Sequence, residues 1–217
     1  MQHPDSATTL CTLLSVSLLL CLSATSLAQS APDPEQVLKE QFWGQLYAQG
    51  GTTLYCRENF SSGAMLITHS PVYFPQEARN YLRCGTLRSC LNDNETYRAL
   101  AADMHNLFPE RSRYESRRRG PYYTQVDPQA KPGECGERTE FGRFEPPSHA
   151  KGVVARALFH VHSRYQLPLP GDVNVLREWH QQHPPSPSEQ ERNEMILQLQ
   201  GFANPFISDP SLADELL

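Results

Sequence analysis

An acid, an imidazole and an amide lie within four residues of one another in the chain, as Asp103, His105 and Asn106. Two apolar residues follow, and Pro109 then prevents a simple helical continuation. The nine residues from 111 to 119 hold five arginines, namely Arg111, Arg113, Arg117, Arg118 and Arg119. Because the planar guanidinium group binds phosphate oxygens two at a time, this run favours contact with a phosphodiester backbone.

The charge of the chain is unevenly distributed. The formal net charge is −5, and an acidic protein is not by itself an obvious nucleic-acid binder. Between residues 79 and 119, however, nine arginines stand against five acids, while acids collect near the two ends, over residues 33–40 and 209–215. The sequence therefore predicts a local basic face, and the alternative is a solvated loop without a ligand.

Five segments along the chain carry short motifs. They are Thr53-Leu-Tyr-Cys56, residues 103–109, the Pro146-Pro147 pair with residues 150–157, residues 189–193 and residues 200–206. Together they resemble the endonuclease I family of bacterial periplasmic or secreted nucleases over residues 36–207. The resemblance implies an α+β fold, mainly helical, in one domain with a small ββα-metal (His-Me finger) core.

The resemblance also implies an activity. We expect a sequence-nonspecific endonuclease that hydrolyses DNA, with RNA left open as a second substrate, and that uses one divalent metal, Mg²⁺. Three chemical parts are needed: a base for water, a cation for the scissile phosphate and cationic side chains for flanking phosphates. We expect a monomer that is secreted or periplasmic.

His69 is the predicted general base. The family places its base in a Glu-His-x-x-Pro strand end ahead of a small cysteine loop, and His69 falls there, before Cys84. Histidine suits the role because it is neutral and basic near pH 7. His105 is the competing candidate, but its place in a predicted helix beside apolar residues favours a structural role.

The predicted metal site departs from the family pattern at two positions. Thr68 stands where the family has a glutamate ligand, and Glu115 stands where it has an asparagine ligand. A neutral hydroxyl binds a hard cation less well than a carboxylate does. We expect Glu115 and Thr68 to be the metal ligands. An equally open alternative is that Glu115 is a solvated loop residue that pairs with a nearby arginine.

Phosphate contacts are predicted at five arginines. Arg118 and Arg88 match family arginines, and Arg113, Arg117 and Arg119 come from the basic run. Two other functions remain open. One is a catalytically silent homologue that binds nucleic acid with a degraded metal site, and the other is a secreted domain with a protein partner.

Residues 1–28 read as a secretory signal peptide, which leaves residues 29–217 as the nuclease domain. Residues 10–22 are almost wholly apolar or small, and Ser26-Leu27-Ala28 offers a cleavage site. The segment before them carries no Lys or Arg, so a membrane anchor is the alternative. The apolar run is short for a span, which needs about 20 residues.

Export predicts disulfide bonds. Four cysteines remain after residue 28, an even number in an oxidising compartment, and they allow three pairings. Cys84 and Cys90 enclose a short loop and are the natural local pair, which leaves Cys56 for Cys135. A zinc site is disfavoured because close Cys-x-x-Cys spacing is missing.

Hydrophobic periodicity and capping residues predict the secondary structure. Helices are expected over residues 35–48, 97–107 and 172–182, in a helix capped by Ser148, and in a helix that a Ser188–Glu191 capping box opens and Gly201 ends. Strands are expected over residues 52–56 and 65–68. Residues 120–147 should be mostly loop, with a strand near Phe141.

Overall fold

The computed structural model describes residues 31–118 and 120–216. Its helices are α1 (Pro34–Gln36), which continues as a π-helix (Val37–Leu46), α2 (Pro75–Leu82), α3 (Leu87–Asp93), α4 (Glu95–Ala102), α5 (Ser112–Glu115), α6 (Lys151–Tyr165), α7 (Val173–Gln182), α8 (Pro187–Gln200) and α9 (Pro205–Ser208). Its strands are β1 (Gly51–Thr52), β2 (Asn59–Phe60), β3 (Ile67–Pro71), β4 (Leu107–Arg111), β5 (Tyr122–Tyr123), β6 (Arg138–Glu140) and β7 (Arg143–Glu145). Short 3₁₀ turns cover Ser148–Ala150 and Pro210–Glu215.

A two-stranded sheet and a helix form the ββα core. β3 pairs antiparallel with β4, so that His69 lies opposite Pro109. α5 begins immediately after β4 and packs against both strands. Proline cannot donate a ladder hydrogen bond, but the carbonyl of Pro109 accepts one from the Leu54 amide on the other side. The observed fold is the expected α+β arrangement.

The helix predicted through Leu107 is wrong at its end. α4 stops at Ala102, and the chain turns at Asp103, where the His105 backbone nitrogen donates a hydrogen bond to Asp103 Oδ1 over 2.8 Å. Leu107 then begins β4. Met104 and Leu107 are buried in either geometry, so their spacing did not distinguish a continued helix from a turn and a strand.

The hydrophobic core surrounds α6. Its residues from Val154 to Val161 are buried, and α4, α7 and α9 pack against it. A smaller core lies between the π-helix and α8, where Phe42, Met104 and Ile196 meet. Among residues 31–118 and 120–216, no helix is both long and apolar enough to span a bilayer.

Several local predictions need correction. Ser186, not Ser188, caps α8, because its hydroxyl accepts the Glu189 amide hydrogen. Gly201 ends that helix in the left-handed conformation, as expected. Ser148 opens a 3₁₀ turn without capping it, and the first strand covers two residues instead of five. Residues 120–147 are mostly irregular, as expected, and strands lie on both sides of Phe141, where β6 and β7 form a sheet with β5 in the order β5-β7-β6.

Both predicted disulfides are present. Cys56 is bonded to Cys135, across 79 residues of sequence, and Cys84 to Cys90, across 6 residues. The long bridge ties the segment after β1 to the loop before β6. The predicted signal peptide lies outside the described residues and stays a prediction.

Asp103 is the centre of a buried polar network. Besides the His105 amide, its carboxylate accepts hydrogen bonds from His160 Nε2 at 2.8 Å and from the Tyr165 hydroxyl at 2.9 Å. Burial alone would raise the pKa of Asp103, but these partners hold it below its usual value. His105 bonds the Phe202 carbonyl through Nε2, and burial lowers its pKa to about 3. The network joins the turn after α4 to α6, so Asp103 and His105 serve the fold.

We expect His105 to make the protein less stable as the pH falls from 6.5 towards 3. In that window the unfolded chain binds a proton at this histidine and the folded chain does not. The free energy of unfolding therefore falls by up to ~1.4 kcal/mol per pH unit through this residue alone. Urea unfolding of wild type and His105→Gln at pH 7, 6 and 5 measures the contribution, and equal slopes for the two proteins would contradict it.

Candidate active site

The predicted base lies at the middle of β3. His69 is half-buried, and burial lowers the pKa of its imidazole below the ordinary value of 6.5. The ring is therefore neutral at pH 7, which is the state that a general base requires. Thr68, beside it, is also half-buried and lies opposite Glu110 in the strand pair.

The predicted metal-binding carboxylate lies at the end of α5, next to β3. Glu115 Oε2 accepts a hydrogen bond from the Ser70 hydroxyl, 45 residues away in sequence. It also accepts one from Arg118 Nη2 at 3.0 Å. Burial raises the pKa of Glu115, and the Arg118 guanidinium opposes that shift. Since Ser70 follows His69 directly, the structure brings the imidazole strand and the carboxylate together through Ser70.

Sequence reasoning missed the part that Ser70 plays. Its hydroxyl donates to Glu115 and accepts from Arg118 Nη2 at 2.7 Å, so it links the strand to both charged groups. A serine is ordinary at a strand end, and the position next to the predicted base was the available signal.

Arg118 is an interior residue. Its side chain is 2% exposed and donates to the Tyr123 hydroxyl at 2.8 Å and to the Pro71 carbonyl at 2.7 Å, besides Ser70 and Glu115. The rings of Tyr55 and Phe74 each lie with their centroid 4.7 Å from the guanidinium carbon. A phosphate could reach this group only after the site had rearranged, so in this geometry Arg118 positions Glu115.

The other predicted arginines differ in their surroundings. Arg113 and Arg117 are 65% and 63% exposed, and each forms an ion pair with Glu134, at 2.6 Å and 3.6 Å. Arg111 contacts the same carboxylate at 3.2 Å. Arg88 is exposed on α3, within the Cys84–Cys90 loop, and Arg119 lies outside the described residues.

Glu134 is a second residue that sequence reasoning missed. One carboxylate faces three guanidinium groups because the Cys56–Cys135 bond holds the adjacent residue beside Arg111. Arg111 Nη2 lies 3.0 Å and 3.2 Å from the two sulfur atoms. The predicted disulfide gave a hint that residues near Cys135 would meet the basic run.

A cavity of about 420 Å³ lies beside α5. We call it the hairpin cavity, because one wall is Tyr114 and Arg117 and the other is the β6–β7 hairpin with Phe141 and Arg143. Its lining mixes aromatic rings with charges of both signs. The candidate site therefore has an adjoining space large enough for part of a substrate.

The donor set around Glu115 suits a weakly charged metal site. Within residues 31–118 and 120–216, no group of three or more His, Cys, Asp or Glu side chains could hold an ion. Magnesium, however, commonly takes one or two carboxylates and completes its shell with water and substrate phosphates. The Glu115 carboxylate with the Ser70 hydroxyl beside it fits that pattern.

Two antiparallel strands followed by a helix, with an imidazole on the first strand and a carboxylate on the helix, define a nuclease of the ββα class. The match to a family model agrees with this geometry. The model for endonuclease I matches residues 37–211. The chain belongs to the endonuclease I family.

Curated relatives give the same result. A periplasmic deoxyribonuclease of Aeromonas hydrophila is 30% identical over 226 aligned positions, covering 90% of this chain and 93% of that protein. Endonuclease-1 of Buchnera aphidicola is 28% identical over 127 residues, 57% of this chain, and the chain spans 50% of that relative's length. An extracellular ribonuclease of Bacillus subtilis is 36% identical over 92 residues, 34% of this chain and 32% of that protein.

We expect neighbouring arginines of the basic run to respond differently to substitution. Arg118→Ala leaves Glu115 buried without its cation and should lower the free energy of unfolding by about 3–5 kcal/mol. Arg117→Ala removes an exposed ion pair and should change it by less than about 0.5 kcal/mol. Urea denaturation of both variants makes the comparison, and equal losses would show that Arg118 is not the buried anchor of the site.

Proposed function

We propose that this chain is a periplasmic or secreted endonuclease that hydrolyses phosphodiester bonds of DNA with one divalent metal ion. Family membership supports the nuclease activity, and the Aeromonas relative supports DNA as substrate. The Bacillus relative keeps RNA as a second candidate. The observation that carries the proposal is the Ser70 link, which sets the strand of His69 against Glu115.

His69 is the proposed base. Its neutral imidazole takes a proton from the attacking water at the unprotonated ring nitrogen. Neighbouring side chains leave a strand on opposite faces, so Thr68 and Ser70 share one face and His69 faces the other. We therefore propose that the scissile phosphate lies along the edge of β3 that is not paired with β4, where groups from both faces of the strand can approach it.

Glu115 and Thr68 are the proposed metal ligands. When bound, a divalent cation neutralises the scissile phosphate and the departing 3′ oxygen. Ser70 and Arg118 hold Glu115 Oε2, which fixes the side chain and leaves Oε1 as the oxygen that would hold a cation. In this proposal Glu115, on α5, supplies the carboxylate that the family has at the position of Thr68.

Arg113 and Arg117, with Arg119 and Arg88, are the proposed phosphate contacts. Guanidinium contacts to phosphate carry no base information, which supports a nonspecific nuclease. Glu134 competes with phosphate for Arg113 and Arg117. Because exposed ion pairs are weak, with a median of about 0–1 kcal/mol, a nucleic-acid backbone can displace it.

A relative and the disulfide bonds support the proposed location outside the cytoplasm. The Aeromonas hydrophila relative is named as a periplasmic enzyme, and both disulfides suit an oxidising compartment. The predicted signal peptide, residues 1–28, would direct the chain there. We propose that the exported protein acts as a monomer.

His69→Ala should lower plasmid cleavage by about 10²–10⁴-fold, because a positioned base contributes that much. Binding of DNA should persist, since the arginines are untouched. His162→Ala is the matched control, because that imidazole bonds the Leu167 carbonyl at the end of α6. Cleavage by His69→Ala at the wild-type rate would remove His69 from the mechanism.

The metal requirement should move in opposite directions in two variants. Thr68→Glu adds a carboxylate and should lower the Mg²⁺ concentration for half-maximal cleavage, while Glu115→Gln should raise it by at least ~10-fold. Magnesium titrations of cleavage, paired with calorimetry of Mg²⁺ binding, measure both shifts.

One result would favour the catalytically silent alternative. The hold of Arg118 on Glu115 and the missing carboxylate at Thr68 are the observations on its side. If the wild-type protein binds DNA but never cuts it with Mg²⁺, Mn²⁺ or Ca²⁺, the chain is a nucleic-acid-binding protein without catalytic activity.

A further inference from the structure

The turn of the β6–β7 hairpin carries a residue whose side chain does not stabilise the hairpin. Its two-residue turn is Phe141-Gly142, between the paired Glu140 and Arg143. Phe141 is 98% exposed and has φ +49°, and Gly142 has φ +79°. Such turns favour Asn-Gly, and a bulky side chain at positive φ is uncommon. The fold therefore supports an exposed aromatic ring where a small polar residue would be more stable.

The ring stands at the rim of the hairpin cavity. Arg143 and Arg117 line the same cavity, and Tyr122, half-exposed, lies opposite Arg143 in the pairing of β5 with β7. Aromatic faces and guanidinium groups together are the surface that binds single-stranded nucleic acid, by stacking bases and holding phosphates.

Three carboxylates also line the cavity, from Glu134, Glu137 and Glu140. Arg117, Arg118 and Arg143 line the same cavity and balance these charges, so the interior has no net positive charge to hold a phosphate and an uncharged base is the better occupant. The phosphates of the same strand then follow the arginines, of which Arg117 is exposed. The charges thus separate a place for a base from a path for the backbone.

The hairpin is held in a fixed relation to the candidate active site. Tyr123, next to Tyr122, accepts a hydrogen bond from Arg118 Nη1 and donates one to the Val72 carbonyl, at 2.8 Å and 2.7 Å. Arg118 in turn binds Glu115. A nucleic-acid strand bound at Glu115 therefore passes the β5–β7–β6 sheet at a distance that these hydrogen bonds fix.

We propose that Phe141 stacks on an unpaired base of the nucleic-acid substrate, with the adjoining phosphates on Arg117 and Arg143. This rests on the proposed nuclease function and adds a substrate class: single-stranded or locally opened nucleic acid is bound better than a closed duplex. Phe141 is a binding residue that determines specificity.

The test uses the full-length exported protein and short oligonucleotides carrying one 2-aminopurine, whose fluorescence reports stacking. Phe141→Asn should weaken single-strand binding by about 5- to 150-fold, from about 1–3 kcal/mol per stacked base. It should also match or exceed wild type in thermal stability, because asparagine suits the turn. A residue with a merely structural role would not lose binding while stability rises.

Two further variants sharpen the comparison. Phe141→Trp keeps an aromatic face and should retain single-strand affinity and the 2-aminopurine quenching. Leu197→Gln removes an exposed apolar side chain on α8 and should leave both unchanged. Duplex oligonucleotides should bind wild type and Phe141→Asn alike.

Other outcomes overturn the inference. The stacking role is removed if Phe141→Asn keeps the single-strand affinity of wild type, or if it loses affinity equally for duplex. If wild type is a dimer and Phe141→Asn dissociates it, the ring belongs to a contact between two copies of the chain. If wild type cuts plasmid while Phe141→Asn binds normally, only the stacking proposal fails. Wild type that neither binds nor cuts any nucleic acid ends the proposed function itself.

Discussion

The buried guanidinium of Arg118 is the interaction on which the candidate site depends. A charge in the interior loses its hydration, and that cost is offset only by good partners. Arg118 has a carboxylate, a carbonyl, two hydroxyls and two aromatic faces around it. These partners come from β3, α5, β5 and the segments beside them. One side chain thus fixes the ββα core and the second sheet relative to each other.

This arrangement bears on the proposed metal site. Glu115 is already the partner of a permanent cation, so a metal ion has to share a carboxylate that the protein uses for its own folding. Such sharing weakens a cation site, and Thr68 offers a hydroxyl where the family has a second carboxylate. Substrate phosphates are then the natural completion of the shell.

Neighbouring arginines have separate roles because their exposure differs. Arg118 is enclosed, whereas Arg113 and Arg117 stand at the surface around Glu134, which the Cys56–Cys135 bond brings to them. Glu134 and Glu58 are the two carboxylates paired with the three guanidiniums of Arg111, Arg113 and Arg117, so these ion pairs leave one positive charge in excess. An overall acidic protein can therefore present a local surface suited to a phosphate backbone.

The sequence by itself determined the family, the mainly helical α+β class, both disulfide pairs and the strand that carries His69, because local motifs and spacing specify these features. Only the tertiary structure showed that Leu107 starts a strand, since burial is the same in a helix and a strand. It likewise decided that Arg118 is buried while Arg117 is exposed, although both follow the same short helix. Partners such as Ser70 and Glu115, or Arg113 and Glu134, are distant in sequence. Their meeting is decided by how the strands and loops pack, which no local pattern records.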